Sequence, residues 1–198
     1  MRIGGLQPFS LTDFPGKVSG IFFTAGCNFA CSYCHNKELW EKPCAIIPEK
    51  EILSFLEQKK KQLDGIVITG GEPTLQEDLI DFIELVRSYG YLIKLDTNGA
   101  RPDVLIKLLT KKYLDYIAMD IKAPFEKYST VIGLKTAPIE KLKESIELIA
   151  HSGLRHEFRT TFIPHQLIEK DIDIIKTYFP KESFYRLQDY VEVEQIKS

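Results

Sequence analysis

Val18-Ser19-Gly20-Ile21-Phe22-Phe23-Thr24-Ala25-Gly26-Cys27-Asn28-Phe29-Ala30-Cys31-Ser32-Tyr33-Cys34-His35-Asn36 is the stretch on which the reading of this chain turns. Its first seven residues are mostly β-branched or aromatic and end at Ala25-Gly26, the pattern of a buried strand running into a loop. The loop, residues 25–36, carries three thiols spaced C-x3-C-x2-C. Thiolates are the usual ligands of iron–sulfur clusters, which normally take four. A local count of three leaves one metal with a position for something other than cysteine.

Other readings of the thiols are weaker. Nothing else marks the chain as secreted, and sulfurs crowded into one loop do not make a disulfide framework. A structural zinc site with His35 as fourth ligand is the main competitor. Structural zinc, however, usually joins a C-x2-C knuckle to a second, well-separated ligand pair. Cys44, ten residues past Cys34, is either a further ligand or a small buried or loop thiol.

Outward from the loop, buried runs alternate with amphipathic ones. Pro48 opens a helix with Ile52, Phe55 and Leu56 on one face, and Ile66-Val67-Ile68-Thr69 is a second strand. A helix over Leu79, Ile80, Ile83 and Val86 stops at Gly90, and Tyr91 to Leu95 is a third strand. Val104, Leu105, Leu108 and Leu109 mark the next helix, and Tyr116 to Met119 a fourth strand. A helix from Pro138 to His151, a strand from Phe158 to Ile163, a helix from Asp171 to Tyr178 and a strand from Phe184 to Leu187 complete the pattern. Residues 1–17, broken by Gly4-Gly5, Pro8 and Pro15-Gly16, read as irregular.

This alternation is an α/β fold with parallel βα units. Fewer than eight units fit, which excludes a complete barrel and leaves an open barrel or a doubly wound sheet. The 198 residues suit a single domain, 1–198. With 44% hydrophobic and 27% charged residues and net charge −2, the chain has no general attraction for nucleic acid. It shows no signal peptide and no apolar run long enough for a bilayer, so a cytoplasmic protein is expected.

Cys27, Glu72, Asp96, Asp120 and Arg159 all fall at or near the carboxyl ends of expected strands, where parallel α/β folds bind ligands. Gly70-Gly71-Glu72-Pro73 is a turn whose glycines admit close backbone approach and whose acid can accept from an ammonium. Asp96-Thr97-Asn98-Gly99 is otherwise a helix-capping turn, and Asp120-x-Lys122 a surface ion pair. Arg159, flanked by apolar residues in a strand, needs a partner: Asp120, Asp96 or a ligand carboxylate. Asp13 is by itself an ordinary solvated acid.

The string Cys27-x3-Cys31-x-Tyr33-Cys34 resembles the signature of the radical S-adenosylmethionine (SAM) superfamily. Tyr33-Cys34-His35-Asn36, with Ser10 to Lys17 and Phe23 to Asn28, resembles the activating enzymes of glycyl-radical proteins. Among these the likeness is to the anaerobic ribonucleoside-triphosphate reductase branch, from about Leu6 to Pro164. The resemblance implies an open (β/α)6 TIM-like barrel and a [4Fe–4S] cluster on Cys27, Cys31 and Cys34. It implies S-adenosylmethionine held by Tyr33, Gly70, Gly71, Glu72, Asp96, Thr97, Asp120, Lys122 and Arg159, and a monovalent cation between Asp96 and Asp120. It further implies a glycyl-radical enzyme as protein substrate, touched by Asp13, and a flavodoxin- or ferredoxin-type electron donor. Reductive cleavage of the sulfonium would give a 5′-deoxyadenosyl radical that takes hydrogen from a glycine Cα. The competing functions are an activase of a pyruvate formate-lyase-type enzyme, a small-molecule radical SAM enzyme of the 7-carboxy-7-deazaguanine synthase kind, a zinc module, and a relic without turnover.

Overall fold

A computed structural model describes residues 1–41 and 43–191. Seven strands form one sheet in strict chain order: β1 (Ile3–Ser10), β2 (Ser19–Thr24), β3 (Gly65–Gly70), β4 (Leu92–Thr97), β5 (Tyr116–Asp120), β6 (His156–Phe162) and β7 (Phe184–Asp189). From β2 onward every neighbouring pair is parallel. A doubly wound sheet reverses its strand order at a switch point. This sheet never does, so it winds one way as a barrel does, with β1 and β7 as its two edges.

Six helices connect the strands: α1 (Glu49–Lys59), α2 (Leu79–Ser88), α3 (Pro102–Thr110), α4 (Phe125–Val131), α5 (Ile139–Ala150) and α6 (Glu169–Ile175). Alternation along the strands sorts side chains onto two faces. Ile66, Ile68, Ile93, Leu95, Ile117, Met119 and Phe158 face the helices and form the main core with Leu56, Ile83, Leu105 and Ile146. The opposite parity faces inward. There Ile21, Val67 and Tyr116 pack with Phe14 as an apolar plug near the strands' amino ends. The same parity also carries Lys94 and Glu157, at 1% and 2% exposure, into the interior. The barrel is thus apolar at its floor and charged toward its carboxyl rim.

Two expectations need correction. The leading segment, read as irregular, contains β1, which pairs antiparallel with β2. Its register slips between Ile3 and Gly5 and again between Gln7 and Ser10, so no period-two pattern survives for sequence to show. Pro8 is tolerated because an edge strand has a side that needs no donor. The second correction is α4, a seven-residue helix after Pro124 that is too short to display a helical period. Smaller differences are in limits: α6 begins at Glu169 and ends at Ile175, and β6 begins at His156.

Candidate active site

The cysteine loop leaves β2 at the carboxyl rim and is fastened from three sides. Gly26 N–H donates to Leu39 O at 2.8 Å, Ala30 N–H to Ile132 O at 2.8 Å, and Gln166 Nε2 to Ser32 Oγ at 2.9 Å. One pocket takes in Cys27, Cys31, Cys34 and Tyr33 together with Gly70, Gly71, Glu72, Asp96, Thr97, Asp120 and Lys122. Arg159 stands beside it, in register with Asp120 on the neighbouring strand.

The sulfurs are poised differently. Burial pushes the Cys27 thiol up to about 11, against a 3.4 Å hydrogen bond from Phe29 N–H. Burial also raises Cys31, with the Lys122 charge working the other way. Cys34 Sγ accepts from Trp40 Nε1 at 3.3 Å. Among the described residues no three His, Cys, Asp or Glu side chains gather round a point that one metal ion would fill. A zinc site requires that convergence; a cluster spreads its thiolates over separate irons. The soft donor set, with N–H groups already aimed at two of its sulfurs, fits a cluster. Tyr33 Oη, buried in the same wall without a partner, marks a surface that protein groups alone do not satisfy.

The glycines of the second motif serve the loop itself. Gly70 has φ +111°, and a Cβ there would lie 2.4 Å from Thr24 N. A Cβ on Gly71 would lie 2.0 Å from Gly26 O. The close approach expected for a ligand is therefore made to the backbone leading into Cys27, where Gly71 N–H bonds Thr24 O and Glu72 N–H bonds Gly26 O. Gly71→Ala should cost at least about 1–3 kcal/mol, as overpacking does, and should lower iron uptake on reconstitution. Urea denaturation and iron assay check this; wild-type values in both would contradict the contact.

Glu72 also departs from expectation. It is 1% exposed, and its carboxylate accepts from Thr97 Oγ1 (2.8 Å), Asn98 N–H (2.7 Å), Thr74 N–H (3.1 Å) and the Thr74 hydroxyl. Burial raises its pKa and these donors oppose the rise. It is a tie between the ends of β3 and β4, rather than a free acceptor for an ammonium. Asn98 extends the tie by donating to Asn28 Oδ1 at 2.7 Å. The sequence reading passed over both asparagines, although Asn28 adjoins Cys27 and Asn98 stands inside a quoted motif.

Arg159 spans two carboxylates, with Nε to Asp120 Oδ1 at 2.8 Å and Nη1 to Asp96 Oδ2 at 3.1 Å. Lys94 pairs with Asp96, and Lys122 with Asp120 at 2.9 Å. Burial alone would raise the Asp120 carboxyl; Arg159 and Lys122 reverse this and hold it well below the usual range. A guanidinium thus lies between the two aspartates to which the resemblance assigned a monovalent cation. This arrangement assigns Arg159 the partners within the protein that the sequence left open. Glu157 Oε2 lies 3.1 Å from Arg186 Nη2, close enough for charge pairing, yet no donor points at it.

Asp13 is the candidate that the structure sets apart. It caps the turn after β1, bonded to the Ser10 hydroxyl, and Ser10 pairs with Ser19 at the amino end of β2. That is the floor of the barrel, opposite the cysteine loop. His35 lines the pocket and bonds Val191 O at 2.8 Å through Nε2.

An incomplete βα barrel with three cysteines in the loop after its first parallel strand defines a class of cluster-dependent radical enzymes, and the comparisons agree. Residues 21–178 match the family described as the Radical SAM superfamily, and the chain belongs to it. Its cofactors are accordingly a [4Fe–4S] cluster and S-adenosylmethionine. A Methanocaldococcus jannaschii protein assigned as a glycyl-radical enzyme activating enzyme is 33% identical over 192 residues, covering 95% of this chain and 79% of that protein. The pyruvate formate-lyase-activating enzyme of Clostridium pasteurianum is 29% identical, covering 82% of this chain and 69% of its own. The 7-carboxy-7-deazaguanine synthase of Clostridium acetobutylicum is 30% identical, covering 70% and 69%.

Among solved structures, Streptococcus suis SuiB bound to S-adenosylmethionine gives a TM-score of 0.69 at 16% identity, over 87% of this chain and 40% of SuiB. A TYW1 structure gives 0.66 at 17% identity, over 88% of this chain and 65% of that one. At such identities the likeness concerns the fold. Among the described residues no helix is long and apolar enough to cross a membrane.

Proposed function

We propose that residues 1–198 are one radical SAM domain that generates a glycyl radical on a partner enzyme, and that the partner is an anaerobic ribonucleoside-triphosphate reductase. The observation that carries the reading is the pocket in which three cysteines of one loop share walls with the polar ends of β3, β4 and β5. Cys27, Cys31 and Cys34 would hold the cluster. Bound there, it supplies one-electron reducing power at the sulfonium of S-adenosylmethionine. Around that place Tyr33 and the Gly70-Gly71 backbone form wall, while Asp96, Thr97, Asp120 and Lys122 offer acceptors and donors to the nucleoside and amino-acid parts. Arg159 holds the two aspartates in place, and a ligand carboxylate would have to compete with them for it. Asp13, at the opposite rim, would meet the protein substrate only where that substrate enters from the floor. A flavodoxin- or ferredoxin-type donor in the cytoplasm would supply the electron.

The Ser10 to Asn36 resemblance supports this partner, and relatives matched over 95% and 82% of this chain support the activase class. A second reading, rearrangement of a small molecule, is favoured by the 30% identity to 7-carboxy-7-deazaguanine synthase. Anaerobic reconstitution with iron and sulfide, followed by S-adenosylmethionine, dithionite and the reductase, should give an EPR doublet from a carbon-centred glycyl radical on the reductase. Formation of 5′-deoxyadenosine without that doublet would move the assignment to the second reading.

A further inference from the structure

Trp40 has so far been given no role beyond its hydrogen bond to Cys34. It is the only tryptophan in the chain, it lines the pocket, and its indole N–H points at Cys34 Sγ from 3.3 Å. An indole nitrogen is a donor only, so the bond has one direction. The placement is built rather than incidental. A single 3₁₀ turn over Lys37–Leu39 carries the chain back over Cys34, closed by Trp40 N–H to Lys37 O at 3.1 Å. Leu39 is buried, and its carbonyl accepts from Gly26 N–H, one residue before Cys27. On the other side Leu39 packs on β1, where a Cβ at Gly4 would come within 2.7 Å of its Cδ2. Both ends of the cysteine loop and the edge strand therefore fix where the indole points.

We infer that Trp40 is a positioning residue that sets the reduction potential of the cluster held by Cys27, Cys31 and Cys34, through its N–H···S bond to Cys34. The inference rests on the cluster reading above. An added electron increases negative charge on the coordinating sulfurs. A donor aimed at one of them stabilises the reduced form more than the oxidised form, so the bond raises the potential. Cys27 receives a backbone N–H from Phe29, which no substitution at Phe29 other than proline removes. The Asn98 amide is 4.0 Å from Cys27 Sγ and is already bonded to Asn28. Trp40 is thus the side chain through which sequence can adjust this electron affinity.

Trp40→Phe keeps an aromatic ring and deletes the donor. After anaerobic reconstitution to equal iron and sulfide content, an EPR-monitored titration with dithionite should show a lower midpoint than wild type. The expected change is about tenfold in the oxidised-to-reduced ratio at fixed potential, equivalent to about 59 mV for one electron. An unchanged or higher midpoint overturns the inference. The wild-type protein gives a second measurement that does not depend on the variant folding. With its single tryptophan labelled with ¹⁵N in the indole, the reduced cluster should show one ¹⁵N hyperfine coupling by ENDOR, and its absence overturns the assignment. A reconstituted protein that takes up no four-iron cluster overturns the cluster reading itself and this inference with it, a result distinct from a loaded cluster with an unmoved potential.

Discussion

Cys31→Ala is expected to abolish reductive cleavage of S-adenosylmethionine, whereas Cys44→Ala leaves it largely intact. Cys31 is 8% exposed at the centre of the loop, and its thiol faces the same pocket as those of Cys27 and Cys34. Removing it leaves two sulfurs for a centre that already has one ligand fewer than the usual four. The loss of 5′-deoxyadenosine formation under dithionite should exceed about 100-fold, beyond the 10–100-fold typical of outer-shell changes, and iron content should fall with it. Cys44 lies elsewhere. Its sulfur would be 3.0 Å from a Cβ on Gly4, against the β1 edge, and it does not line the pocket. Its alanine variant should bind iron and cleave the sulfonium at near wild-type rates. Full activity in the first variant, or total loss in the second, would break the ligand assignment. Zinc without iron in anaerobically purified protein would do the same.

β2, β3 and β5 were legible because each is a short apolar run closed by a turn, and a buried parallel strand leaves that pattern. Ile66-Val67-Ile68 and Tyr116 to Met119 lie within β3 and β5 as observed. β1 was illegible for a physical reason: a bulged edge strand has neither continuous burial nor alternation. At the site, residue types and their place at strand ends put Cys27, Asp96 and Asp120 on one rim, and one pocket takes in all three; Lys122 was legible only through the resemblance. The direction in which groups point was not readable. Glu72 looked like a ligand acceptor because it follows two glycines at a strand end, yet Thr97 and Asn98 claim it, from a motif 25 residues away. Arg159 in an apolar strand did announce a buried partner, since an unpaired guanidinium there is too costly. That both aspartates share it emerges only from the register of β4, β5 and β6.

Arg159→Met should destabilise the fold by about 3–5 kcal/mol at neutral pH, the loss that follows when one partner of a buried charge network is removed. The side chain is 12% exposed and bonds Asp120 and Asp96, with Glu157 3.9 Å away. Without it, three carboxylates face each other with Lys94, Lys122 and, beside Glu157, Arg186 as the remaining nearby cations. The acid limb of the stability curve should change too. Asp120 has a folded pKa held below its unfolded value of about 3.9, so its contribution is fully present above that pH and is lost as the pH falls toward the folded value. In Arg159→Met the charge that depresses this pKa is gone. Wild type should therefore lose stability more steeply below about pH 4 than the variant does. Arg159→Lys, which restores charge without the fork that reaches both aspartates, should fall between the two. Urea unfolding at pH 7 and pH 3 measures both effects. A loss under about 1 kcal/mol at pH 7, the range of an exposed surface pair, or identical acid limbs, would show that Arg159 is not what holds the rim aspartates together.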